Sequence, residues 1–206
     1  MKESSGGREK KGSIYEGGLR VPCLVEWPGT IKPGESNLPS FTSDMYPTLL
    51  EIVGLKPAHS HPLDGISINK AFYGGTVERK SGLGFWHGFA NGQSTYSDRI
   101  VKQIMDAQKA GKEIAIPERI KKDIDEFKQY STTSFPGHSA WTKFPWKLHR
   151  IEKGKKVKFE LYNLESDPME AKDLSKSKPE LLTNMKKELN TWQISVINSL
   201  NGKDYK

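Results

Sequence analysis

The chain has 206 residues, a formal net charge of +7 and 34% hydrophobic residues, enough for one large or two small domains around a lean core. No apolar run is long enough to cross a bilayer as a helix, and Met1 to Lys11 lacks the apolar segment of a signal peptide. The lysines and arginines are spread among acids, with no basic block and no aromatic-studded RNA motif, so charge alone does not make this a nucleic-acid-binding protein.

In chain order, the first feature is Lys11-Gly12-Ser13-Ile14-Tyr15-Glu16-Gly17-Gly18, a loop in which the paired glycines are expected to turn tightly or take positive φ. Lysine suits a compact anion as a point charge, so Lys11, ahead of Gly12 and a hydroxyl residue, is a candidate anion contact. Lys10 is adjacent, and the Lys-Gly-Ser spacing favours Lys11. Val21 to Trp27 reads as a buried strand ended by Pro28-Gly29, and its single cysteine, Cys23, is expected to be buried as a small hydrophobe.

Asp44 is placed to cap a helix with Pro47 in its first turn. Met45, Leu49, Leu50, Ile52 and Val53 would form a face packed on a sheet, and Gly54 would stop the helix. Lys56 to Ile66 is a loop, and Gly84 to Phe89 is a candidate strand. Ser97 to Tyr130 reads as an inserted helical pair, with Ile100, Val101, Ile104 and Met105 on one helix and Ile120, Ile124 and Phe127 on the other. Trp146 to Ile151 and Val157 to Tyr162 read as a half-exposed antiparallel hairpin. Ser177 and Glu180 have capping-box spacing around Pro179. The last helix, striped by Leu181, Met185, Leu189, Trp192 and Val196, should cover that hairpin.

The order of these motifs resembles the C-terminal portion of the formylglycine-dependent sulfatases, of a bacterial type. The resemblance rests on Lys11 to Pro22 with Trp27-Pro28-Gly29, Asp44 to Leu50, Leu63-Asp64-Gly65, Pro136 to Trp141, Trp146-Lys147-Leu148, and Leu161 to Pro168. It implies an α/β fold: the C-terminal part of an alkaline-phosphatase-like sheet domain, residues 1–83, plus a small antiparallel-sheet and helix subdomain, 84–206, with a helical insertion at about 97–130. It also implies hydrolysis of aryl or carbohydrate sulfate esters, with Lys11 contacting the sulfate. In the family a formylglycine made from Cys or Ser in Cys/Ser-x-Pro-x-Arg attacks sulfur, and calcium steadies the sulfuryl oxygens. Around Cys23 the sequence reads Cys-Leu-Val-Glu-Trp, and no Ser-x-Pro-x-Arg occurs elsewhere. The acidic pairs that hold calcium belong to family segments preceding the Lys11 motif, and a hard cation needs about six or more oxygen ligands. The nucleophile and calcium ligands are therefore expected outside this chain, which would be inactive alone and take a separate N-terminal sulfatase fragment as partner.

By the same resemblance His138 is a candidate contact to a substrate hydroxyl or leaving group, and His87 and Trp141 are candidate substrate-binding residues. Trp141 and Trp146 have packing as their competing role. His59 and His61 read as a solvated pair, and His149 as a strand residue with an ordinary hydrogen bond. The expected partners are a sulfated small molecule or glycan, with no nucleic acid and no membrane span, and the family suggests a periplasmic or extracellular intact enzyme. A noncatalytic anion- or glycan-binding remnant is the alternative, and a basic nucleic-acid-binding protein the remote one.

Overall fold

The computed structural model describes residues 7–58, 62–90, 96–112 and 129–203. Its centre is a four-stranded antiparallel sheet in sequential order: β1 (Leu83–His87), β2 (His138–Lys143), β3 (Trp146–Lys153) and β4 (Lys156–Asn163). The chain is thus mixed α and β. Both expected hairpin strands form, and β3 and β4 are joined through Gly154, whose φ of +62° suits a residue without Cβ. The register sets Lys147 opposite Tyr162, Leu148 opposite Leu161 and His149 opposite Glu160.

Because side chains alternate along a strand, this register gives the sheet two unlike faces. Trp141, Leu148 and Leu161 point to one, where Met185 and Leu189 of the long helix α4 (Pro179–Leu200) complete a buried apolar cluster. Trp192, Leu181 and Leu182 pack at its margin. The last helix therefore covers the hairpin as its stripe predicts, and it starts at Pro179, whose missing N–H costs nothing in a first turn. The expected capping box is not made: the N-cap is Lys178 with no side-chain cap, and the Ser177 hydroxyl instead bonds the Leu174 carbonyl. The other face is polar and also covered, so the hairpin is not half-exposed along its length. Glu160 and Tyr162 are 4% and 3% exposed because the segment around α1 (Glu16–Leu19) lies over them.

Three other expectations are corrected. Val21 to Trp27 forms no strand among the described residues; nothing pairs with it, Leu24 is 92% exposed, and Cys23 is exposed with it. Helix α2 (Met45–Ile52) forms and ends at Gly54 (φ +70°), yet Met45, Leu49 and Val53 face solvent, because the described sheet does not reach them. Asp44 does not cap α2 with its side chain. Its buried carboxylate instead accepts the N–H groups of Phe41 (3.0 Å) and Ile66 (2.9 Å) and pairs with Arg79, fastening the Leu63-Asp64-Gly65 loop to the helix start. The first helix of the expected insertion is α3 (Tyr96–Lys109), and the second, with Ile120, Ile124 and Phe127, lies outside the described residues. So do His59 and His61.

Leu148 is fully buried in the helix-covered cluster and Leu49 is 60% exposed. Leu148→Ala is expected to lower unfolding free energy by about 2–5 kcal/mol in urea denaturation, whereas Leu49→Ala should change it by less than about 0.5 kcal/mol.

Candidate active site

The polar face of the sheet is covered by residues 7–20, and a connected set of charged and aromatic side chains holds the two together. Local geometry starts with the glycines. Gly17 and Gly18 lie in α1 with no positive φ, and their role is close approach: a Cβ on Gly17 would meet the Glu9 carbonyl oxygen at 2.2 Å, and one on Gly18 the Ser13 carbonyl oxygen at 2.2 Å. Any side chain there would push the loop apart. The Gly17 N–H donates to the Arg8 carbonyl at 2.8 Å, which closes the loop on itself.

The centre of the contact is Lys147, whose side chain is 0% exposed. Its Nζ lies 2.6 Å from Glu16 Oε1 on the loop and 3.1 Å from Glu170 Oε1 on the turn after β4. Glu170 Oε2 in turn accepts the Glu16 backbone N–H at 2.6 Å. The turn that delivers Glu170 is built from short polar side chains bonding nearby backbone. Asn163 Oδ1 accepts the N–H groups of Glu165 and Ser166, Asp167 those of Ala171 and Lys172, and Asp173 those of Leu161 and Ser175. Glu170 itself has φ +51°, a conformation rare for residues with a Cβ, and its carboxylate is thereby turned fully inward.

From Glu170 a hydrogen-bond chain runs across the sheet: Glu170 Oε1 to His149 Nε2 at 2.7 Å, and His149 Nδ1 to His138 Nε2 at 2.9 Å. Tyr15 stacks on His149 with ring centroids 4.5 Å apart and meets His138 edge-on at 5.2 Å. Its hydroxyl donates to Glu160 at 2.6 Å, and the Tyr162 hydroxyl donates to the same oxygen at 2.8 Å. Arg8 closes the set, with its guanidinium 3.9 Å from the centre of the Tyr15 ring, an Nη1 bond to the Tyr162 hydroxyl at 3.0 Å and another to the Glu170 carbonyl at 3.1 Å.

Burial and neighbouring charge fix the protonation states. Burial, then the interaction with the neighbouring His149, push His138 down to about 3, and burial with the Lys147 ammonium pushes His149 well below its ordinary range. Both imidazoles are neutral at pH 7. Burial alone would raise Glu160, but bonds from Lys158, Tyr15 and Tyr162 outweigh it and hold the carboxyl at about 2. Burial raises Glu170, opposed by Lys147 and by the Glu16 N–H. Tyr15 and Tyr162 are raised by burial and by Glu160 and stay protonated as donors.

Of the sequence candidates, Lys11 is exposed on the covering loop, and His87 and His138 are cross-strand partners on the face beneath it. His138 is 1% exposed, and its buried Nδ1 has no hydrogen-bond partner among the described residues. His87 Nδ1 lies 3.0 Å from the Phe89 carbonyl oxygen and 3.1 Å from the Phe89 nitrogen. Trp141 is on the opposite, helix-covered face, 5.9 Å from Trp192, and donates its indole N–H to Glu188 at 2.8 Å. Sequence reasoning missed Tyr15, Glu16, Lys147, His149, Glu160 and Glu170 as a set. The available signal was the β3–β4 register, which opposes Lys147 to Tyr162 and His149 to Glu160 on one face.

Among the described residues no group of three or more His, Cys, Asp or Glu side chains is arranged to hold a metal ion. Cys23 is exposed in a context without the neighbouring proline and arginine that formylglycine formation uses. The described residues thus fit neither calcium nor formylglycine, and the chemistry available on this face is anion contact by lysine and hydrogen bonding by neutral histidine. No described helix is long and apolar enough to cross a membrane.

Comparison with known proteins gives one consistent family. A sulfatase of Formosa agariphila is 42% identical over 86 residues, 39% of this chain and 15% of that protein. Arylsulfatase A of Homo sapiens is 35% identical over 91 residues, 42% of this chain and 18% of that protein. An ulvan-active sulfatase of Formosa agariphila matches more of the chain, 166 residues or 80%, at 29% identity and over 30% of its own length. The matched part thus spans less than a third of each of these relatives. No family model matches the sequence.

Lowering the pH should loosen this face. His138 is held neutral to about pH 3 against an ordinary 6.5, so between those values the unfolded chain binds more protons and stability falls as pH falls; His149 acts in the same direction. Glu160, at about 2 against 4.5, adds a loss below pH 4.5, while Glu170, raised by burial, works the other way. The urea midpoint is expected to be lower at pH 5 than at pH 8, and His138→Gln should flatten that difference. Lys147→Met, which strands two carboxylates, is expected to lower unfolding free energy by about 3–5 kcal/mol in the same measurement at pH 7.5.

Proposed function

We propose, from its similarity to sulfatases over parts of its length, that this chain is the C-terminal part of a sulfatase, a sulfuric ester hydrolase acting on aryl or carbohydrate sulfates. The observation that carries the reading is the locked loop. Lys11 sits a few residues from Tyr15 and Glu16, both bonded to groups on the sheet, so an exposed ammonium is presented from a backbone with little freedom. A preorganised cation of this kind stabilises charge that develops on sulfuryl oxygens without reorganising at the moment of reaction.

In this reading Lys11 contacts the sulfate, His138 accepts a hydrogen bond from a substrate hydroxyl, His87 borders the same face, and Trp141 serves by packing α4 on β2. The fold is that of an alkaline-phosphatase-like enzyme, with residues 1–83 belonging to its sheet domain and 84–206 to the smaller subdomain. The nucleophile and calcium site are supplied by other sulfatase sequence, in the same polypeptide or as a separate N-terminal fragment, and the intact enzyme works in the periplasm or outside the cell. The chain by itself does no chemistry. A noncatalytic anion- or glycan-binding role is the second reading, favoured by the same lysine, by the sequence around Cys23, which does not fit formylglycine, and by described residues that do not fit calcium.

The purified chain is expected to leave a chromogenic aryl sulfate intact. When it is joined or co-produced with a sulfatase segment carrying Cys/Ser-x-Pro-x-Arg and the acidic metal motifs, turnover should appear. There Lys11→Ala is expected to lower kcat by about 10²–10³-fold. Unchanged turnover in the Lys11→Ala form would remove the assigned role.

A further inference from the structure

The polar face continues past the locked loop into a groove of about 420 Å³, walled by Arg8 and Tyr15 on one side and by Lys153, Lys156 and Lys158 of the β3–β4 hairpin on the other, with His138 bordering it. The register puts Lys153 directly opposite Lys156, and Lys158 opposite Ile151, so all three lysines project to the side of the sheet that carries His138 and His149. Like charges directly opposite each other destabilise a hairpin, and among the described residues neither Lys153 nor Lys156 has an ion-pair partner. The acids at the groove are already engaged: Glu160 receives bonds from Tyr15, Tyr162 and Lys158, and Glu9 one from Ser13.

His138 adds a second requirement. Glu170, held between the Lys147 ammonium and the Glu16 N–H, acts as an acceptor, so His149 donates to it through Nε2 and accepts through Nδ1 from His138 Nε2–H. A neutral His138 then carries a lone pair on Nδ1, a buried atom with no partner among the described residues, in a side chain that borders the groove. A ligand matched to this groove brings anionic groups for the lysines and Arg8 and a hydroxyl donor for the histidine.

The geometry points to a second anion-binding site, distinct from the Lys11 sulfate contact, that takes a further sulfate group of a multiply sulfated glycan through Lys153 and Lys156 while His138 receives one of its free hydroxyls. This deepens the sulfatase reading and rests on it only for the expectation that the anion is a sulfate. Sulfated sugars combine both features in one residue. Duplex DNA offers the anions but no line of free hydroxyls.

The test is calorimetric titration of the chain with a heparin hexasaccharide, with its desulfated, carboxylate-retaining counterpart, and with a short DNA duplex, all at the same low salt. The sulfated hexasaccharide is expected to bind at least about tenfold more tightly than either comparison ligand, and Lys153→Ser/Lys156→Ser to weaken it by about tenfold or more. Lys172→Ser/Lys176→Ser removes the same charge from exposed positions outside the groove and is expected to change affinity less than about twofold. Absence of binding, equal affinity for the desulfated sugar or the duplex, or equal losses in the two double variants would overturn the proposal. None of these outcomes depends on turnover, so the Lys11 reading stands or falls separately.

Discussion

A buried ammonium between two carboxylates is the interaction on which this structure depends. Lys147 touches Glu16 from the loop and Glu170 from the turn after β4, and each carboxylate comes from a part of the chain that has little apolar surface to hold it in place. Residues 7–20 bury Ile14 and Tyr15 and otherwise meet the sheet through polar groups. Such a contact is weak evidence for net stability, since desolvating the charges offsets much of their attraction. Its effect is on specificity of position: with either partner missing, a charge is left buried and uncompensated, so only one placement of the loop satisfies all three groups. The left-handed backbone of Glu170 belongs to the same constraint, as strained residues persist where the surroundings over-determine them.

That constraint divides the sheet's labour. One face packs Leu148 and Leu161 against Met185 and Leu189 and supplies the hydrophobic stabilisation. The other carries neutral histidines, paired carboxylates and a guanidinium stacked on Tyr15, and it fixes the loop that bears Lys11. Trp141 and His138, three residues apart on β2, therefore belong to different environments: the first faces the helix core, the second the groove.

The elements set by period and punctuation were legible in the sequence. The apolar stripe of α4, Pro179 at its start, Gly54 at the end of α2 and the β3–β4 hairpin all come from local rules, and each forms. What the sequence hides is what covers a face. Alternation along β4 separates Leu161 from Glu160 and Tyr162 correctly, but a polar face looks the same whether water or a charged loop lies over it. For the same reason the apolar run Val21 to Trp27 and the apolar face of α2 imply burial that the described residues do not provide. Asp44 and Ser177 show a smaller version of the problem: each has the right chemistry to cap a helix, and each is taken by a different partner, Arg79 with two backbone N–H groups in one case and the Leu174 carbonyl in the other. The Tyr15-Glu16-Gly17-Gly18 stretch was legible as a motif; the reason for Tyr15 and Glu16, an acceptor in Glu160 and a donor in Lys147, required the sheet, while the close approaches of Gly17 and Gly18 are made within the loop.

The most direct measurement of the central claim is amide hydrogen exchange at Glu16. Its N–H has a single tertiary acceptor, Glu170 Oε2 at 2.6 Å, and no helical partner in the one-turn helix it begins. If the Lys147 cluster locks the Lys11 loop to the sheet, the Glu16 amide should exchange as slowly as those of β3, and Glu170→Gln should speed it while the amides of β2 and β3 stay protected. Exchange of the Glu16 amide at the rate of an unstructured peptide in the unmodified chain would contradict the account.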